Sequence, residues 1–233
     1  MKNIFSPDSL LIKALTLFCD IMYLNVLFII CSLPIFTIGA SLTALYSMIF
    51  KRMRGEEMPI AKTYFKDFRS NFKQATLFWI PYLLLVVFFS ADVYIAHSVL
   101  PENLRFLQYP VSIALFIIIY LTILVFPQMA LFKSNTIQII KNSALLGLTN
   151  LPIIGMVIII HLLILLIADY SAKARVMVIS LLLFFGFAGL AYFFSIFYKR
   201  IFDKILGVDD KEPEDEDSDT EESEEFENKD ISE

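Results

Sequence analysis

"NVLFIICSLPIFTIGASLTALYSMIF", residues 25–50, contains no charged residue, yet a proline and a glycine interrupt it near the middle. Its reading decides the fold. One helix over residues 10–50 would be about 60 Å long at 1.5 Å per residue, twice the roughly 30 Å of a bilayer's hydrocarbon core. Pro34 lacks an N–H and disfavours helix in the residue before it, so it is the natural divider. The stretch therefore predicts two helices, about 10–33 and 36–53, with Pro34 and Gly39 at the helix break. The second is short. It either completes a crossing or returns as half of a re-entrant pair, and both versions keep the N-terminus on the same side.

The rest of the chain reads the same way. Hydrophobic residues make up 58% of the 233 positions and the mean hydropathy is +0.69, above the 45–50% apolar content of ordinary soluble domains. Residues 21–50, 74–91, 106–132, 142–168 and 176–198 carry no Asp, Glu, Lys or Arg. These runs are continuous, unlike the alternating strands of a transmembrane barrel. The expected fold is all-α: a polytopic membrane bundle of about six transmembrane helices, five if residues 36–53 re-enter. The N-terminus lacks the apolar run and small-residue cleavage pattern of a secretory signal. Cys19 and Cys31 form no CxxC and read as small apolar core residues.

Charge divides the chain. Residues 209–233 hold fifteen acids and two lysines, whereas residues 1–208 carry a net charge of +8. The first part reads as a transmembrane helical domain, 1–206. The second, 207–233, reads as a disordered acidic cytoplasmic tail that is too poor in apolar residues to bury a core. Loops rich in Lys and Arg stay in the cytoplasm. Placing residues 51–73 inside puts both termini and sixteen of the 19 basic residues there. The expected location is a bacterial plasma membrane, crossed several times.

Two connecting segments look amphipathic. In residues 61–75 the helical period gathers Ala61, Tyr64, Phe65, Phe68, Phe72 and Ala75 on one arc, with Lys62, Lys66, Arg69 and Lys73 on its flank. Such a helix suits the headgroup level of an anionic leaflet or a partner protein's surface. Residues 134–150 form a weaker version, its polar face made of Asn135, Gln138 and Asn142.

No Walker loop, GxGxxG, HExxH, CxxC or nucleophile elbow occurs in the sequence. The expectation is a non-enzymatic protein with no cofactor, no metal and no nucleic-acid partner. The candidate functional residues are polar groups at membrane depth: Asp20, Asn25, Asp92 and His161. Ionisable groups there are costly and face a bundle interior or water. Asp20 and His161 could form a proton or substrate relay, which would make the chain a small-solute transporter or channel. Alternatively, they hold helices together through polar contacts.

"FSPDSLLIKALTLFCDIMYLNVLFIICSLPIFTIGASLTALY" followed by "YFKDFRSNFKQATLFWI" resembles the YesL-like family of bacterial integral membrane proteins of unknown function. Asn25, Ser32-Leu33-Pro34, Thr37-Ile38-Gly39-Ala40 and the Phe65–Ala75 helix carry the resemblance; residues 141–152 fit more loosely. The resemblance implies an accessory or regulatory role near a carbohydrate uptake system, with a sugar transporter as the membrane partner. It supplies no catalytic residues.

Overall fold

The computed structural model describes residues 10–99 and 101–206, and among these every regular element is helical. The helices are α1 (Leu10–Ser32), α2 (Ile38–Met53), α3 (Ile60–Ser98), α4 (Gln108–Leu131), α5 (Thr136–Thr149), α6 (Leu151–Tyr170), α7 (Ala172–Leu181) and α8 (Phe187–Leu206). A π-helical turn, Leu182–Gly186, joins α7 to α8 without a break. The chain divides after Tyr198 into two units, and the acidic tail, residues 207–233, lies outside the described residues.

Five stretches among the described residues are long and apolar enough to cross a membrane: Leu11–Ser32, Ile60–Ser98, Gln108–Leu131, Leu151–Tyr170 and Ala172–Asp203. Lipid offers no hydrogen bonds to a bare backbone, so uninterrupted Leu-, Ile- and Phe-rich runs become helices whose peptide groups are satisfied internally. The protein is thus a multi-pass helical membrane bundle. α2 is the exception. Its 16 residues extend about 24 Å, short of the core thickness.

α2 is nevertheless the most deeply packed helix, with Gly39, Ala40, Ser41, Thr43, Ala44, Leu45, Ser47, Met48, Ile49 and Phe50 all buried. It folds back along α1, and its last turn meets α1 again where Arg52 pairs with Asp20 at 2.7 Å. Gly55, at φ 76°, then turns the chain toward α3 in a left-handed conformation that glycine adopts freely.

Residues 61–75 do not form a separate connector. They are the first part of α3, a single 39-residue helix about 58 Å long. Nothing between Ile60 and Pro81 interrupts helical hydrogen bonding, so the basic segment and the span fuse. The aromatic arc also divides. Tyr64 and Ala75 are fully buried, and Phe68 and Phe72 are half-buried against the protein core. Of the arc's aromatics, only Phe65 is exposed beside the cations. The apolar face of this helix packs on α1, α2, α4 and α5. α5 keeps the expected polarity: Gln138 and Asn142 are exposed while Ile139, Ser143 and Gly147 point inward at helical spacing. Cys19, expected inside, faces outward, and Cys31 is half-buried.

Candidate functional site

The break between α1 and α2 is built from its own side chains. Pro34 is extended (φ −76°, ψ 119°) and a short 3-10 turn, Ile35–Thr37, follows. The last carbonyls of any helix lack partners within it. Here the buried Thr37 hydroxyl lies 2.6 Å from both the Cys31 and Pro34 carbonyl oxygens and serves them. Thr43 donates to the Gly39 carbonyl at 2.9 Å, and Ser41 to the Phe28 carbonyl at 3.0 Å. Ser32 Oγ, by contrast, is buried without a hydrogen-bond partner among the described residues. The Trp79 indole N–H donates to the Ile35 carbonyl at 2.7 Å. Trp79 is the midpoint of α3, so the turn docks halfway along that helix, with about 28 Å of helix still to run before Ser98.

Gly39 makes this docking possible. A Cβ there would lie 2.7 Å from Trp79 Cβ, 3.0 Å from the Ala75 carbonyl oxygen and 3.2 Å from a Phe126 ring carbon. Small residues at helix contacts let backbones approach in this way. Two residues further along α2, the buried Tyr64 hydroxyl lies 2.7 Å from Ser41 Oγ and 3.1 Å from the Ser41 carbonyl. Ser41 already donates to Phe28, so Tyr64 is the donor to Ser41. This hydrogen-bonded chain ties α3 to α2 and α2 to α1.

At the other end of the hairpin, Asp67 accepts from Lys51 Nζ at 2.6 Å and from Ser47 Oγ at 2.7 Å. Asp67 is buried, which an isolated carboxylate could not sustain without a cation and a donor. Sequence reasoning passed over Asp67. It sits among four cations on an amphipathic segment, where an acid looks like a solvated surface residue.

Asn25 has the most specific setting of the four intramembrane candidates. It is fully buried, and its amide nitrogen donates to the carbonyls of Leu182 at 3.2 Å and Leu183 at 2.8 Å. Its side-chain oxygen accepts from the Ala188 N–H at 3.0 Å. These contacts bracket the π turn, where the wider winding displaces main-chain groups from their α-helical partners. Asn25 thus latches the first helix to the last rod.

The other candidates stand apart. Asp20 and Arg52 line a cavity of about 260 Å³ together with Thr16, Glu56 and Glu57. His161 lines a different cavity, of about 580 Å³, walled by residues of α2, α3, α4, α6 and α8. Its Nδ1 sits 2.8 Å from the carbonyl oxygen of Val157 in its own helix, and its ring stacks on Phe194 with centroids 5.2 Å apart. Asp92 is half-buried in the last third of α3 with no hydrogen bond or ion pair among the described residues. Neither Asn25 nor Asp92 lines either cavity. No cluster of three or more His, Cys, Asp or Glu side chains able to hold a metal occurs among the described residues.

On the outer flank of α3, Lys62, Phe65, Lys66, Arg69 and Lys73 are exposed, and none of the four cations forms an ion pair among the described residues. The opposite face of the same turns carries Tyr64 and Asp67, both committed to α2.

A family model described as a protein of unknown function, DUF624, matches residues 21–93. That is about a third of the chain, and it contains Asn25, Pro34, Gly39, Lys51, Asp67 and Trp79, the hairpin and the part of α3 that receives it. No curated protein and no solved structure matches the chain.

Proposed function

We propose that this chain is a non-enzymatic accessory protein of a bacterial plasma membrane, of the YesL-like kind, that acts by engaging a second membrane protein. The observation that carries this reading is the two-sidedness of α3. Its inner face is locked to α2 through Tyr64 and Asp67, while Lys62, Phe65, Lys66, Arg69 and Lys73 stand exposed, with no ion pair to any of the four cations among the described residues. Four cations on successive turns, with an aromatic ring among them, suit an acidic cytoplasmic surface at headgroup level. The positive-inside rule places that face in the cytoplasm. A carbohydrate uptake transporter is the partner suggested by the family resemblance.

A photo-crosslinking residue in place of Phe65, activated in native membranes and followed by mass spectrometry, tests the reading. The expected result is one dominant protein adduct, lost when Lys62, Lys66, Arg69 and Lys73 are changed to Gln. Adducts to lipid alone would reassign the face to the bilayer. The competing reading, a small-solute transporter or channel using Asp20, Asn25 and His161, draws less support, because Asp20 and His161 line different cavities, Asp20 is paired with Arg52 and Asn25 is bonded to main-chain groups around the π turn. Solute uptake by the purified protein alone in liposomes would favour that reading over the accessory one.

A further inference from the structure

The cavity beside His161 has no part in the reading above, and its chemistry is unlike that of the rest of the molecule. It holds about 580 Å³, within the range of small-molecule sites. Its walls include Tyr46, Trp79, Tyr82, Phe126 and Phe194, and no Asp, Glu, Lys or Arg is among the described residues lining it. At its edge Phe116, Ile119, Leu162 and Leu165 are 53%, 44%, 54% and 66% exposed, all within charge-free spans. The cavity therefore opens sideways onto lipid.

Two polar groups bear on the occupant: the Tyr120 hydroxyl, buried without a hydrogen-bond partner among the described residues, and the imidazole of His161, an exposed residue at the cavity's wall. His161 Nδ1 faces the Val157 carbonyl, which can only accept, so in the neutral ring Nδ1 carries the proton and Nε2 is left as an acceptor. No hydrogen bond to Nε2 occurs among the described residues. An acceptor and an unpartnered hydroxyl in an aromatic, uncharged, lipid-facing cavity select an uncharged molecule with an apolar body and a hydroxyl to donate. A charged ligand would lose its hydration with no countercharge to replace it. A plain hydrocarbon would leave Nε2 unserved.

We propose that this cavity binds an uncharged, hydroxyl-bearing lipid, a long-chain or isoprenoid alcohol or a diacylglycerol, which enters from the bilayer and donates its hydroxyl to His161 Nε2. The aromatic walls hold the chain, and the ring stack on Phe194 fixes the imidazole in place.

The protein carries its own reporter, because Trp79 is the single tryptophan of the chain and lines the cavity. In phosphatidylcholine nanodiscs, bromododecanol should quench Trp79 saturably, at concentrations about fivefold below those needed by bromododecane, as one hydrogen bond predicts. His161→Phe keeps an aromatic ring against Phe194 and removes the acceptor, so it should bring the alcohol down to the level of the alkane. Equal quenching by the two probes in the unaltered protein would overturn the proposal, as would an alcohol preference that survives in His161→Phe. Should the variant not fold, the comparison of the two probes on the unaltered protein decides alone.

Discussion

Gly39 and Trp79 approach so closely that a methyl group on Gly39 would stand 2.7 Å from the Trp79 Cβ. The obstacle is the root of a side chain, and the Ala75 carbonyl is backbone, so neither can rotate away. Gly39→Ala should force α2 off α3 and cost about 1–3 kcal/mol, the usual penalty of overpacking. A lowered unfolding midpoint in detergent, with a shift in Trp79 emission, would register it. An unchanged midpoint would show that the two helices part without cost.

Removing the Asn25 side chain should cost more than its volume suggests. Asn25→Ala leaves two carbonyls of the π turn and the Ala188 N–H just beyond it without their partner in a dry setting. Each unsatisfied buried group costs about 1–3 kcal/mol. Asn25→Leu, which restores volume but not hydrogen bonding, should be no better than Asn25→Ala in a thermal unfolding assay. Recovery with Leu would mean that packing alone is at stake.

Asp67 and Lys51 should behave as a coupled pair. Lys51→Met strands a buried carboxylate, which typically costs about 3–5 kcal/mol when a buried pair is broken. Ser47 and partial exposure of Lys51 soften that figure, so the lower end is expected. The double variant Lys51→Met, Asp67→Leu should regain most of the loss. Additive losses in the cycle would refute the coupling.

The height of the α1–α2 turn can be read by labelling. With Cys19→Ala and Cys31→Ala as background, Phe36→Cys should resist a membrane-impermeant maleimide added from outside, because the turn docks at the midpoint of α3. Asn103→Cys, between α3 and α4, should label. Equal labelling of both would mean that α2 completes a crossing.

How much of this was legible in the sequence follows from the range of each interaction. The charge-free runs locate the membrane-length helices because burial in lipid is a property of a continuous segment. Pro34 locates the break because its effect is confined to its neighbours. The status of α2 was not legible, since a 16-residue, mostly apolar helix fits a short crossing and a re-entrant arm equally well. Tyr64 was placed on the right face but against the wrong neighbour for a related reason: an amphipathic pattern says which face is covered but not whether lipid or protein covers it. The Asn25 contacts join residues about 160 positions apart, and nothing local to either end announces the other.

The π turn clasped by Asn25 also sets the phase of everything that follows it. An α-helix turns about 100° per residue, and a π turn accommodates one residue more than an α turn would. Deleting a single residue from Leu182–Gly186 would leave a longer, straighter α-helix and swing Phe194 and Tyr198 by about 100° away from the wall they build. One amide at the start of the chain thereby keeps time for the aromatic lining near its end.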